Sequence, residues 1–288
     1  MLIDFLHRRI QQKFRRRQIR SRYLKLPTCS LHYYTNEAEF EKNVLFLHGL
    51  GTSSSTWIHV LPHLARKHNV FALDFPGFGF SRITSGKPTF TIQELCETVE
   101  AFVVKTVRLP FILVGHSLGG WIAAEYAIRH QADIARLVLM NPAGIHHAGV
   151  EETGKLFAIR NLRELYSLLN RLWWKYPWYF KPFAPAILAD LRRRRVQELI
   201  ETVAKEDFLN DRLQGLTIPV DLIWGQNDAV ISAEVVELLK RALPQLRVRF
   251  IEKCGHVPQL ERPRSVKAFL DEILEERDDD EGGRGEIS

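Results

Sequence analysis

The stretch FILVGHSLGGWIAAEYA, residues 111–127, decides how the rest of the chain is read. Phe111 to Val114 is a short β-favouring run suited to a strand buried on both faces. Trp121 to Tyr126 mixes alanines with larger apolar side chains and suits a helix. Ser117 therefore falls on the turn between them. Gly115 and Gly119 leave room for a tight turn in which Ser117 takes a sparsely populated backbone conformation and neighbouring main chains come close. Such a turn pushes the hydroxyl outward, and the spacing G-x-S-x-G is that of a nucleophile elbow. A serine hydroxyl is a poor nucleophile near neutral pH, so the reading depends on partners elsewhere in the chain.

Outward from this stretch, short apolar runs alternate with helical patterns. Weak strand candidates at Tyr23 to Leu26 and Ser30 to Tyr34 precede Asn43 to His48, Val70 to Asp74, Phe111 to Val114, Arg136 to Met140, Val220 to Trp224 and Arg247 to Glu252. Helical segments are expected near 56–67, 91–107, 118–130, 232–242 and 263–275. This alternation predicts an α/β domain, with a mostly parallel central sheet covered by helices on both faces. Ligands of such sheets bind beyond the carboxyl ends of the strands. From about Gly144 to Gly215 strands are missing and the chain is rich in Arg, Leu and aromatics, including LLNRLWWKYPWYFKPFAP. That segment predicts a helical cap. Its cluster Trp173, Trp174, Tyr176, Trp178, Tyr179 and Phe180 suits either a pocket wall or the cap's own core. The expected division is a basic amphipathic segment over 1–22, a core over 23–143 and 216–276, a cap over 144–215 and an acidic disordered tail over 277–288.

The partners of Ser117 are sought at the same rim. A base is needed within hydrogen-bonding reach, with a third group to hold its tautomer. Of eleven histidines, His256 in IEKCGHVPQLERP stands just past the last strand, preceded by glycine. His48, in LHGLG, suits a loop-organising role, and His116 is placed by the backbone to point away from the neighbouring hydroxyl. For the acid, Asp228 in DLIWGQNDAVI follows a strand and completes the order Ser, Asp, His that accompanies G-x-S-x-G. Asp74 in LDFPGFGFS is the rival, in a compact loop where a carboxylate commonly caps amides. The tetrahedral intermediate needs donors aimed at its oxyanion. The amides of Leu118, after the nucleophile, and Leu50, in LHGLGTSSSTW, are expected to supply them. His48, Gly49, His116 and Val257 at the rim, with Trp173 and Trp174 from the cap, are the candidates for substrate contact.

Length and charge narrow the class. The chain has 288 residues, 45% hydrophobic, enough for one large core with an insertion. Cys29, Cys96 and Cys254 are odd in number and far apart, which argues against a disulfide framework or a CxxC metal site and favours a reducing compartment. No apolar run approaches a bilayer span. The net charge of +6 is unevenly placed. Residues 1–25 carry Arg8, Arg9, Lys13, Arg15, Arg16, Arg17, Arg20, Arg22 and Lys25 against Asp4 alone, while Ile3, Leu6, Ile10 and Phe14 recur at helical spacing. A basic amphipathic helix suits an anionic membrane surface, and a solvated extension is the plainer alternative. The expectation is a cytoplasmic protein, peripheral at the membrane through this segment. Arg192 to Arg195 reads as a solvated helix face, and no nucleic-acid motif accompanies it.

Together these residues resemble the α/β-hydrolase superfamily over roughly Tyr23 to Glu275. LHGLGTSSSTW is similar to its oxyanion loop, DFPGFGFS to its D-x-P-G-x-G-x-S turn, GHSLGG to its nucleophile elbow, and WGQND with CGHVPQLERP to its acid and histidine loops. The resemblance implies Ser117 as nucleophile, His256 as base, Asp228 as acid, Leu50 and Leu118 as oxyanion donors, a lid over the site and no metal or organic cofactor. A serine at the elbow speaks against haloalkane dehalogenases and epoxide hydrolases, which the resemblance gives an aspartate there. Carbon–carbon bond hydrolases keep the serine but usually show tryptophan where Val257 stands. The aromatic cap and basic start look closer to monoacylglycerol-lipase-like enzymes. The expected activity is cleavage of small-molecule or lipid esters of apolar acyl groups. A carbon–carbon hydrolase and a non-catalytic binding protein are the alternatives, and nucleic acid is not an expected partner.

Overall fold

The apolar runs at 43–47, 111–116 and 220–225 are buried along their whole length, which only a strand sandwiched between helix layers allows. A computed structural model describes residues 2–87, 89–193 and 196–276, with the side chains of 2–8, 179, 190 and 193 not described. The expected acidic tail at 277–288 and part of the arginine run at 192–195 lie outside the described residues. The strands are β1 (Arg20–Lys25), β2 (Cys29–Thr35), β3 (Asn43–Leu47), β4 (Asn69–Leu73), β5 (Arg82–Ile83), β6 (Phe111–His116), β7 (Ile134–Met140), β8 (Val220–Gly225) and β9 (Arg247–Ile251). They form one sheet in the order β1-β2-β4-β3-β6-β7-β8-β9, with β5 on β2. Strand β2 pairs antiparallel with β1, β4 and β5, and the other pairings are parallel.

The helices are α1 (Leu2–Arg15), α2 (Leu61–Leu64), α3 (Ile92–Thr106), α4 (Leu118–Arg129), α5 (Val150–Lys155), α6 (Leu162–Leu172), α7 (Ala184–Arg193), α8 (Val196–Glu201), α9 (Glu234–Ala242), α10 (Pro258–Glu261) and α11 (Pro263–Glu275). The two-residue period of the strands divides the core between the sheet faces. Leu45, Leu47 and Leu113 join Val99 and Phe102 of α3 and Ile122 of α4 on one side. Val44, Phe46 and Val114 join Leu61 of α2 and Val266 and Leu270 of α11 on the other. The expected mostly parallel sheet with helices on both faces is the architecture observed.

Three local expectations differ. Strand β1 starts at Arg20, so the sheet reaches into the segment assigned to 1–22. The helix expected over 56–67 breaks into a 3-10 turn at Ser54–Trp57 and α2, where Pro62 occupies the first turn. The apolar side of α1 turns inward: Ile10 and Phe14 are buried in the second core, and the Phe14 ring stands 4.6 Å from that of Tyr34. The apolar stripe expected to meet a membrane is thus packed on the domain at Ile10 and Phe14, while the side chains of Ile3 and Leu6 lie outside the described ones. Between β7 and β8 the described residues form helices and no strand. Leu165 and Leu169 of α6 pack with Ala184 and Leu188 of α7 in a small core of their own, joined by Tyr176.

Candidate active site

Ser117 closes β6 with φ 53° and ψ −118°, a backbone conformation that a non-glycine residue rarely adopts. Main-chain bonds hold it there: Ser117 N–H donates to Met140 O at 3.0 Å, and its carbonyl accepts from Trp121 and Ala143 at 3.1 Å. The flanking glycines are required by space. A Cβ on Gly115 would stand 2.3 Å from Gly119 O, and one on Gly119 would stand 2.4 Å from Leu47 O, both closer than atoms can approach. The loop after β3 presses against the same turn, since a Cβ on Gly49 would lie 3.2 Å from Ser117 Cβ.

A cavity of about 520 Å³ opens beside this turn, with Ser117, Leu50 and Leu118 in its wall. As the first residue of α4, Leu118 has an amide with no carbonyl one helical turn back to receive it. The remaining wall is mainly apolar. Trp121 comes from α4, and Phe157, Ile200 and Phe208 come from the segment between β7 and β8. The Trp121 and Phe208 rings stack at 5.2 Å, and Trp121 Nε1–H donates to Asp207 O at 3.0 Å, so core and insertion meet across the cavity.

Asp228 follows β8 and His256 follows β9. The structure brings them together: His256 Nδ1–H donates to Asp228 Oδ2 at 2.7 Å, with both side chains almost wholly buried. The Asp228 carboxylate is saturated with donors. Oδ1 accepts from Val230 N at 2.8 Å and Ile231 N at 3.0 Å, and Oδ2 also accepts from Asn141 Nδ2 at 2.6 Å. Burial alone would raise its pKa. The charge and hydrogen bond of His256 and the two amides outweigh that cost and hold the carboxyl below its ordinary range. Asn141 was not expected from the sequence. It follows β7 with φ 40° and accepts from Gly225 N at 3.2 Å, bracing the ends of β7 and β8. Its signal was a polar residue closing the apolar run Leu137–Met140 at the functional rim.

His116 has a structural place. Its Nε2–H donates to the His256 carbonyl at 2.7 Å, and the two imidazole centroids are 5.1 Å apart, which seats the His256 loop beside the residue preceding Ser117. Burial pushes the His116 pKa down to about 3, with the nearby His256 charge acting in the same direction. His48 organises its loop, with Nδ1–H donating to Gly49 O at 2.9 Å and Nε2 accepting from Phe75 N at 3.0 Å. Asp74 has other partners. It receives His32 Nδ1–H at 2.8 Å, Ser54 N at 2.6 Å and Phe80 N at 2.9 Å, the amide-capping arrangement expected of the rival carboxylate.

The residues expected at the substrate stand apart from this cavity. His48, Gly49, His116, Trp173, Trp174 and Val257 are absent from the cavity lining. The two histidines and Gly49 stand behind the wall, and Val257 is buried. Trp173 packs on Tyr176 and Phe180 at 6.3 and 6.1 Å, within the insertion's own aromatic cluster. Trp174 is 40% exposed. Side-chain direction in the helical insertion, rather than aromatic content, selects the wall. Among the described residues no cluster of His, Cys, Asp or Glu could hold a metal, and no helix is long and apolar enough to cross a membrane.

Residues 44–269 match the family described as the alpha/beta hydrolase family. The chain belongs to that family. Among relatives of this hydrolase, monoacylglycerol lipase ABHD6 of Bos taurus is 24% identical over 259 residues, covering 81% of this chain and 75% of the relative. Lipase 3 of Moraxella sp. (strain TA144) is 25% identical over 257 residues, covering 83% and 80%. Of solved structures, a membrane phospholipase A described as a bacterial virulence factor superposes on the hydrolase with TM-score 0.83 and 24% identity over 96% of this chain and 92% of that one.

Proposed function

We propose that this hydrolase cleaves carboxylic esters of apolar acyl groups by a serine mechanism. The observation that carries the reading is Ser117, held in a strained turn on the wall of a largely apolar cavity, with the buried Asp228–His256 pair at the same rim. The relatives named as lipases support an ester as the bond.

In the proposed mechanism Ser117 Oγ attacks the ester carbonyl carbon while His256 Nε2 takes the hydroxyl proton. The carbonyl oxygen becomes an oxyanion facing the amides of Leu50 and Leu118. Collapse breaks the bond to the alkoxy oxygen, which leaves as the alcohol after receiving the proton from His256. Water then attacks the acyl-enzyme, His256 takes its proton, and the second collapse returns that proton to Ser117 with release of the carboxylic acid. Asp228 stabilises the transient imidazolium throughout. Residues 144–215 act as the cap, with Phe157, Ile200 and Phe208 receiving the acyl chain. The exposed basic residues of the N-terminal segment associate with anionic lipid.

Turnover of p-nitrophenyl esters of graded acyl length tests the reading, with Ser117→Ala as control. The expected loss in kcat is about 10³-fold or more. Equal rates in the variant remove serine from the mechanism.

A further inference from the structure

The loop that carries His256 is joined to the segment between β7 and β8 by hydrogen bonds of its main chain and of one carboxylate. His256 N–H donates to Leu172 O, the last residue of α6, at 2.8 Å. Two residues further, Trp174 N–H donates to Glu261 Oε2 at 2.8 Å. The other oxygen of the same carboxylate, Oε1, accepts from Gly255 N at 2.8 Å. Glu261 thus holds one amide from the insertion and one from the histidine loop. Neither amide is served by a regular element, since residues 173–174 and 254–257 lie outside helix and strand.

Gly255 makes the approach possible. A Cβ there would stand 2.7 Å from Leu172 O, 2.8 Å from Trp174 N and 2.9 Å from Glu261 Oε1, so a side chain would push the two segments apart. Glu261 is itself fixed. It ends α10, and its neighbour Arg262 donates Nη2–H to Lys253 O at 2.5 Å, closing the loop on itself. On the opposite side of the insertion the attachment is of another kind, through the Trp121 contact to Asp207 and Phe208. The insertion therefore rests on an aromatic stack at one edge and on the histidine loop at the other.

We infer that Glu261 is a positioning residue that clasps the cap to the His256 loop, so that the base and the cap are seated together or not at all. The ester mechanism proposed above is what gives this clasp its catalytic meaning. One carboxylate shared between two amides couples them, because freeing either strand takes one of its two amide donors from a half-buried carboxylate. Cap displacement at the α6 edge consequently loosens His256, and the acyl chain gains access from the α5 and α8 side, where the described tie runs from Thr153 Oγ1–H to Val230 O of the Asp228 loop rather than to the histidine loop. The ester is attacked only with the α6 edge in place.

Hydrogen exchange and steady-state kinetics on the full chain test this together. In Glu261→Gln the amide group keeps one acceptor and sets an NH₂ against the second backbone N–H. Exchange at Trp174, Gly255 and His256 is expected to accelerate together by about tenfold or more. kcat for acetyl and long-chain p-nitrophenyl esters should fall by a common factor, while KM rises for the long-chain ester alone. Acceleration at Trp174 without Gly255 and His256, or the reverse, overturns the clasp, as does an unchanged kcat for the acetyl ester. If the variant does not fold, exchange in the unsubstituted protein decides. A common opening rate for the three amides supports the clasp, and separate rates overturn it. Failure of the ester mechanism would instead show in Ser117→Ala turnover, which leaves the exchange result standing.

Discussion

At the scale of single residues, Asp228 shows how the site resolves an electrostatic conflict. A buried carboxylate is costly unless its lone pairs are filled, and here four donors surround it: two amides, His256 and Asn141. Asn141 shares the oxygen that orients the imidazole, so in the proposed mechanism its removal should act on the base through the acid. Asn141→Gly is the informative substitution, because glycine accepts the φ of 40° without strain and only the side chain is lost. A lost hydrogen bond to a charged group costs about 1.5 to 3 kcal/mol. We predict a fall in kcat of roughly tenfold to a hundredfold. A kcat within twofold of the parent would show that Asp228 needs no help from β7.

At the scale of elements, α1 packs one face on the domain and leaves basic residues on the other, which the proposal assigns to anionic lipid. Ile10 and Phe14 are inside the core with Ile19, while Arg9 and Arg15, with Arg16 and Arg17 just past the helix, are exposed. Deleting residues 1–20 would therefore remove core side chains and the first residue of β1 along with the charges, confusing stability with binding. Neutralising Arg16 and Arg17 to glutamine separates them. Each basic residue near an anionic surface contributes about 1 kcal/mol. The double variant should bind phosphatidylserine vesicles roughly thirtyfold more weakly at low salt, with unchanged thermal midpoint and soluble-ester turnover. Equal vesicle binding would retire the membrane proposal. The amphipathic pattern was legible in the sequence, but which body its apolar stripe meets was not. A helical stripe reports only that a partner exists, and at Ile10 and Phe14 that partner is the sheet domain.

At the scale of the whole molecule, the pairing of His32 with Asp74 ties β2 to the loops after β3 and β4, since Asp74 also receives Ser54 and Phe80. Burial works against the Asp74 charge, yet hydrogen bonding and the charge of His32, with help from His48 and Ser54, hold its pKa at about 2 against an ordinary 3.8. A pKa lowered by folding contributes stability that is present above the unfolded value and lost as pH falls through the folded one. We predict that the urea midpoint declines between about pH 4 and pH 2, with about 2 kcal/mol from this group. Asp74→Asn should be less stable at neutral pH and show a shallower decline, and a parallel decline in both proteins would place the acid sensitivity elsewhere. By itself the sequence determined the alternation of strands and helices, the glycine-framed turn at Ser117, and the rim positions of Asp228 and His256, because strand periodicity and tight turns are written in neighbouring residues. Only the tertiary structure decided that Asn141 supports Asp228, that Phe157 and Phe208 rather than Trp173 and Trp174 face the cavity, and that Glu261 joins two distant segments. Those contacts depend on how far apart in the chain the meeting groups lie and on which way each side chain turns, and local pattern carries neither.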